Sequence, residues 1–295
     1  MTTLTAASDE RVARMGLCGL KACGDPRLAE EVAERGAVTV WSEVSSDAEN
    51  RWQGTASRVD PEQIAAATDA AGARFVVPGD AEWPQLLDDL DGHEVTSQGW
   101  APLGLWVLGA RLDTLTPAVA VVGARAATSY GEAVAYQFGA GLADAGYATV
   151  AGLAFGIDSA AHQGALNNSH ASTIAVLPSG IDKPYPWAHR DLADRIETQG
   201  ALVSEVPPGT SPTRNTLLAR NRIIAGLTQG TVLVEAATRS GALTTAQWAT
   251  TLGRPVMAVP GAITNPLSTA PNQLIHNHTA TSVINVRGIL DELPG

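Results

Sequence analysis

The hydrophobic pattern changes character along the chain. From residue 118 onward, short aliphatic and β-branched runs recur at regular intervals: VAVVG, YATVAG, STIAVLPSG, ALVSE, TVLVEA and PVMAVPG, with a last short strand near TSVINV. Stretches of helical apolar spacing separate them. Strands alternating with helices predict βαβ units and a parallel sheet covered on both faces. Right-handed crossovers then make the fold doubly wound. Local punctuation agrees: Ser129 and Glu132 have the S-x-x-E spacing of a capping box, and Gly146, Gly200 and Gly253 stand where helices should stop.

The first part of the chain reads differently. ERVARMGLCGLKACGDPRLAEEVAERGAVTVWSEV mixes helical spacing with glycine breaks, which predicts several short helices. Runs at 74–77 and 105–108 are strands that could join a sheet edge. The expected organisation is a small helical module over residues 1–70 and an α/β domain over 71–295. The fold class is therefore α/β, a doubly wound, mostly parallel sheet with a small N-terminal helical domain.

Composition sharpens this reading in three places. The chain has 295 residues, 45% apolar and 17% charged, enough for a sizeable core. Neither an apolar run long enough to span a bilayer nor a secretory leader is present, so the expectation is a cytoplasmic protein with no membrane contact. The two cysteines, Cys18 and Cys23, are too few for a disulfide scaffold or a structural zinc site and read as buried thiols. His276 and His278 have no third ligand at metal spacing, so no metal is expected.

The formal charge of −11 ordinarily argues against a nucleic-acid partner, but its distribution matters more. Residues 1–100 hold 18 acids and 8 bases, a net of −10, whereas residues 101–295 hold 12 and 11, a net of −1. Within 206–290 there are six arginines and a single acid, Glu235. That segment could face phosphates, whereas the acidic N-terminal module is a poor surface for them.

In an open α/β sheet, ligands bind beyond the carboxyl ends of the strands. Those ends carry GARAATS, GLAFGIDS, PSGIDKPYP, SEVPPGTSP, EAATRSGALTT and PGAIT, rich in glycine, Ser/Thr and cations. Several open into helices, whose free N–H groups favour anions. Neither G-x-G-x-x-G nor a P-loop is present, so no nucleotide triphosphatase is expected. Arg125, two residues past the glycine that ends the first strand of the series, reads either as a surface arginine or as a guanidinium grip on a phosphate. Gly152 and Gly156 allow close backbone approach of a ligand or a tight packing turn. Lys183, the only lysine after Lys21, is a solvated charge or a phosphate contact. Ser240 is a natural N-cap with Thr244 one turn on. Arg220, Asn221 and Arg222 cluster at the head of an apolar run. Asp158, Ser159 and His162 lie within about one helical turn and cannot form a hydrolytic triad. Trp187, in YPWAHRD, is placed to stack a base.

With these residues in view, the chain resembles the DNA-processing protein A family, also called Smf. The likeness rests on DAEWPQLLDDL, APLGLWVLG, VAVVGARAATSYG, AGLAFGIDSAAHQGAL, AVLPSGIDKPYP, LVSEVPPG, ARNRIIAGL, VEAATRSGALTTA and AVPG, in that order, over roughly residues 74–265. The resemblance implies an extended Rossmann-like domain that binds single-stranded DNA in a basic pocket, forms a homodimer and passes the strand to the RecA recombinase in natural transformation, the competence pathway. It implies phosphate-facing roles for Arg125, Ser129, Gly156, Lys183, Asn221 and Arg222, with no catalytic residue and no cofactor. It also implies a sterile-alpha-motif-like or helix-hairpin-helix-like N-terminal module. Two departures are visible: STAPNQLIHNHTA replaces a glycine-containing stretch of the family, and after LDELPG the C-terminal winged helix that many members carry is not expected.

The binding residues expected together are Arg125, Ser129, Gly152, Gly156, Lys183, Arg220, Asn221, Arg222, Ser240 and Thr244. The alternative is a small-nucleotide sensor or a phosphoribohydrolase-like enzyme on a related sheet. Such enzymes carry an acid in PGGxGTxxE; the nearest counterpart here, EAATRSGALTT, places Glu235 before the glycine instead of after it.

Overall fold

The computed structural model describes residues 2–47, 49–167 and 172–294, with side chains from residue 9. Five helices come first: α1 (Thr2–Cys18), α2 (Pro26–Arg35), α3 (Ala37–Ser46), α4 (Gln53–Ala56) and α5 (Pro61–Ala70). Pro at the first position and an Asp cap start both α2 and α5. Asp25 accepts from Arg27 N–H, and Asp60 accepts from Glu62 and Gln63 N–H. Leu17, Leu28, Val40 and Val44 close these helices on a core of their own.

The main sheet has nine strands: β1 (Arg74–Val76), β4 (Leu105–Gly109), β5 (Ala118–Val122), β6 (Ala148–Ala151), β7 (Thr173–Leu177), β8 (Ala201–Ser204), β9 (Thr231–Leu233), β10 (Val256–Ala258) and β11 (Thr281–Ser282). Their spatial order is β1-β4-β8-β7-β6-β5-β9-β10-β11. From β8 to β11 all pairings are parallel; β4 and β1 add antiparallel at one edge. A separate hairpin pairs β2 (Glu94–Val95) with β3 (Gln98–Gly99). Strand β5 shows why its sequence is apolar throughout: Ala118, Ala120 and Val122 enter the core on one face, while Val119 and Val121 enter the core on the other.

Helices α6 (Ser129–Asp144), α7 (Ile157–Ala165), α8 (Arg190–Gln199), α9 (Arg214–Gly226), α10 (Ala242–Thr251), α11 (Thr269–His276) and α12 (Val286–Glu292) complete the chain. Helix α6 is capped one residue earlier than its sequence suggests: Thr128, not Ser129, accepts from Gly131 N–H. Gly146 and Gly253 take the left-handed conformation of a helix stop, φ +81° and +67°. Gly200 does not, with φ −154°; a Cβ there would strike the Thr173 carbonyl, so close packing against β7 selects it.

The N-terminal helices grip the sheet through named bonds. Arg11 pairs with Asp80 and donates to the Phe75 carbonyl, Arg14 donates to Leu103 O at 2.9 Å, and buried Trp106 donates its indole N–H to Thr68 Oγ1 at 2.8 Å. Cys18 and Cys23 are free and buried, and burial pushes both thiols well up from their ordinary range, which leaves them unreactive. No described helix is long and apolar enough to cross a membrane.

Candidate nucleic-acid interface

Strands β5 and β9 lie side by side, yet the chain leaves them in opposite directions, toward β6 and toward β10. This is the switch point where doubly wound sheets open a crevice beyond their carboxyl ends. A crevice of about 420 Å³ lies there. Arg125 enters it from the loop after β5, Asp158 from α7, Arg220 and Asn221 from α9, and Arg239 and Ser240 from the loop after β9.

Helix α9 explains why those two residues arrive together. Leu217, Arg220, Asn221 and Ile224 follow i, i+3, i+4, i+7 and all line the crevice. Arg222 is two positions from Arg220, about 200° round the helix, and points elsewhere. Its guanidinium is 1% exposed and makes a bidentate pair with Glu205, one arm at 2.7 Å, while Nε donates to Trp100 O at 2.9 Å. Arg222, for which a phosphate-facing role is expected, thus has every arm turned to protein and none to the crevice. Burial alone would lower its pKa, but the neighbouring Glu205 carboxylate carries it above the ordinary value.

The crevice sets three cations against one carboxylate. Arg125 and Arg239 are exposed and have no ion pair among the described residues. Arg220 is buried, donating through Nη1 to Gly152 O and, at 2.9 Å, to Val176 O, while its Nε has no partner. Burial, with Arg125 nearby, pushes its pKa down to about 10; Asp158 works the other way. The guanidinium is still charged at neutral pH, and an incoming anion would relieve it. Asp158 accepts from the N–H groups of Gly152 (3.0 Å) and Ala154 (3.3 Å), and burial raises its pKa against the pull of Arg220.

The other expected residues fall into three groups. Asn221 lines the crevice and donates to Gly241 O at 3.2 Å; Ser240 lines it and accepts from Ala242 N–H at 3.3 Å. Gly152 and Gly156 make room for the protein's own atoms: a Cβ on Gly152 would collide with the Arg220 guanidinium, and one on Gly156, at φ +72°, with the Ala124 carbonyl. Ser129, Lys183 and Thr244 lie off the crevice. Ser129 is exposed on the first turn of α6, Lys183 donates to Gly209 O at 3.0 Å, and Thr245, not Thr244, faces inward from α10.

Asp158 and Arg239 are the site residues that sequence reasoning passes over. Arg239 stands in the open inside EAATRSGALTT. Asp158 enters the sequence reading only with Ser159 and His162, a trio whose spacing excludes a triad, and the structure agrees: His162 is fully buried, bonded through Nδ1 to Thr173 Oγ1 at 2.7 Å, and burial lowers its pKa to about 3. Among the described residues no three metal-binding side chains gather.

Beside the crevice, Arg125 and Arg220 also border a shallow hollow with Phe155, Tyr185 and Pro186. Phe155, Tyr185 and Trp187 expose 48%, 39% and 68% of their surface, and Arg190 lies 5.1 Å from the Trp187 ring centre. Exposed rings beside cations suit stacked bases next to phosphates.

Residues 74–294 match the model of the family described as DNA recombination-mediator protein A. The chain belongs to that family. A relative in Mycobacterium tuberculosis named putative DNA processing protein DprA is 45% identical over 234 residues, 76% of this chain and 60% of its own. The chain thus spans 60% of the length of that relative. The DNA processing protein DprA of Streptococcus pneumoniae is 42% identical over 191 residues, 64% of this chain and 67% of its own. Its crystal structure superposes with a TM-score of 0.79 at 30% identity, covering 97% of this chain and 98% of that one. The Helicobacter pylori protein, whose structure is described in terms of a single-stranded DNA binding mode, gives a TM-score of 0.64 at 25% identity, over 75% of this chain and 96% of its own. Membership of the recombination-mediator family and the nearly complete overlap with the pneumococcal protein agree with a mostly parallel sheet flanked by helices.

Proposed function

We propose that the chain is a non-catalytic mediator that holds single-stranded DNA in the crevice at the β5/β9 switch point. The carrying observation is the convergence there of Arg125, Arg239 and Arg220, two of them without ion pairs and the third with an unused Nε, around a single acid. Phosphates take these cations and the exposed rings of Phe155, Tyr185 and Trp187 take bases by stacking, so binding is tolerant of sequence and weakens with salt. Family membership and the single-stranded DNA binding described for the H. pylori protein support this reading. Delivery of the strand to the RecA recombinase, homodimer formation and a cytoplasmic role in natural transformation belong to the same proposal.

The phosphoribohydrolase alternative loses its acid. Glu235 is buried, accepts from Thr128 N–H (2.8 Å), Thr128 Oγ–H (2.6 Å) and Asn265 Nδ2 (3.3 Å), and does not line the crevice.

Fluorescence anisotropy with oligo-dT tests the proposal. Arg125→Ala and Arg239→Ala should each weaken binding roughly tenfold at low salt, consistent with removing one charge-assisted hydrogen bond of about 1.5 kcal/mol. The salt slope should drop by about 0.7 for each phosphate the variant no longer neutralises. Wild-type affinity in both variants would remove the crevice from consideration.

A further inference from the structure

Residues 1–100 carry a net charge of −10, from 18 acids and 8 bases. One groove runs against that average. It has a volume of about 560 Å³ and lies between the turn after α1, the start of α2, the β2–β3 hairpin and the first turn of α9. Lys21, Arg27 and Arg51 line it, with Asp25 and Glu94 as the only acids.

Asp25 is already engaged. One oxygen caps α2 through Arg27 N–H and the other takes Arg51 at 2.9 Å. The side chains of Lys21 and Arg27 are exposed and have neither an ion pair nor a hydrogen bond among the described residues. The groove wall is hydrogen-bonded across elements: buried Gln98 donates to Asn215 Oδ1 at 3.0 Å, and Asn215 donates to Cys23 O at 3.4 Å. Hairpin, helical module and α9 are thereby tied into one surface, and Gln98 Oε1 is left buried without a partner.

The place of Asn215 gives the groove its meaning. Asn215, Ala219 and Arg222 follow i, i+4, i+7 on the face of α9 turned to the helical module, while Leu217, Arg220 and Asn221 face the crevice. The two hollows therefore flank the same first turns of one helix; Asn215 and Leu218 are separated by about 4.5 Å along its axis. The end of α9 stands between them, with Arg214 exposed at its first position and the positive pole of a 13-residue helix behind it.

We propose that this groove is a second phosphate-backbone site, in which the strand held in the crevice continues over the N-terminal end of α9 onto the helical module. The inference rests on the single-strand reading of the crevice. Lys21 and Arg27 take phosphodiester oxygens in it as solvated point charges, so the groove extends the length of strand covered without reading its sequence.

The test uses the whole chain and two lengths of oligo-dT, about 6 and about 20 nucleotides, which bracket the span of a single groove. Lys21→Gln/Arg27→Gln removes two charges that support no other side chain; Arg58→Gln, an exposed arginine outside the groove, is the control. The double variant should lose roughly tenfold in affinity for the long strand and about 1.4 in salt slope, two phosphates at 0.7 each, with the short strand unaffected. An unchanged long-strand affinity, or an equal loss for both lengths, overturns the groove while leaving the crevice standing. If wild type fails to bind even the short strand, or Arg125→Ala binds it normally, the crevice reading fails and takes the groove with it.

Discussion

Replacing Arg222 separates what the sequence motif suggests from what the structure assigns. In ARNRIIAGL its position beside Arg220 and Asn221 reads as a DNA contact. In the fold it is 1% exposed, paired through both arms with Glu205 and bonded to Trp100 O and Ala219 O at 2.9 Å each. Arg222→Ala removes one member of a buried pair and strands the Glu205 carboxylate, a change that costs about 3–5 kcal/mol. For a chain of this size that lowers Tm by roughly 6–10 °C. Thermal melting followed by circular dichroism reads the loss, and anisotropy with oligo-dT, well below the melting range, reads the binding. The expected result is a large fall in Tm with an affinity close to wild type. The paired replacement Arg222→Met/Glu205→Leu should restore most of the stability, because removing both charges leaves none stranded. An Arg222→Ala protein that melts like wild type but binds DNA as poorly as Arg125→Ala would refute the assignment and return this arginine to the phosphate path.

Two further outcomes follow from buried groups. His162 has its pKa lowered by burial from 6.5 to about 3, so the folded state resists its protonation while the unfolded chain does not. Its contribution is fully present above pH 6.5 and is lost as pH falls toward 3, by up to about 1.4 kcal/mol per pH unit; urea melts from pH 7 to 4 should show this slope in wild type and a shallower one in His162→Gln. Glu235→Ala should cost about 2–4 kcal/mol, since it leaves the Thr128 N–H and Asn265 amide without their acceptor, and should weaken oligo-dT binding because Thr128 ends the loop that carries Arg125; Glu235→Gln, which keeps an acceptor and adds a donor, should recover both Tm and affinity, and a Glu235→Gln protein that folds yet loses binding would count against a bracing role.

The sheet was legible because its physics is written locally. VAVVG is apolar at every position since both faces of β5 are covered, and Gly146 and Gly253 stop their helices by taking a left-handed conformation. The place of Arg125 at the crevice was legible because the carboxyl end of a parallel strand opens onto the edge where that crevice lies. Arg222, given a phosphate-facing role by the resemblance, lies off the crevice because neighbours in a motif are not neighbours in space. Positions 220 and 222 lie on nearly opposite sides of a helix, and the crevice face 217, 220, 221, 224 was recoverable from periodicity alone. Lys183 and Thr244 sit in motifs that reach the carboxyl edge, but only tertiary packing decides that one leans on Gly209 O and that the neighbour of the other turns inward. Lys21, Arg27 and Arg51 were hidden by averaging: a net of −10 over a hundred residues says nothing of which side chains share a groove.

That averaging also bears on how a chain of formal charge −11 could hold a polyanion. The exposed acids of the N-terminal helices act through water, and at about 0.15 M salt their field is screened over roughly 8 Å. Arg220 is buried and sits where the dielectric is low, so its attraction for a phosphate in contact is screened far less. Local attraction and distant repulsion therefore respond differently to salt. Lowering the ionic strength strengthens the phosphate contacts and at the same time restores the repulsion from the acidic module. The slope of log K against log salt in the wild-type protein should then be shallower than its number of bound phosphates alone implies. Differences in slope between single variants share the same repulsive background, which cancels, so they count phosphates more faithfully than the absolute slope does.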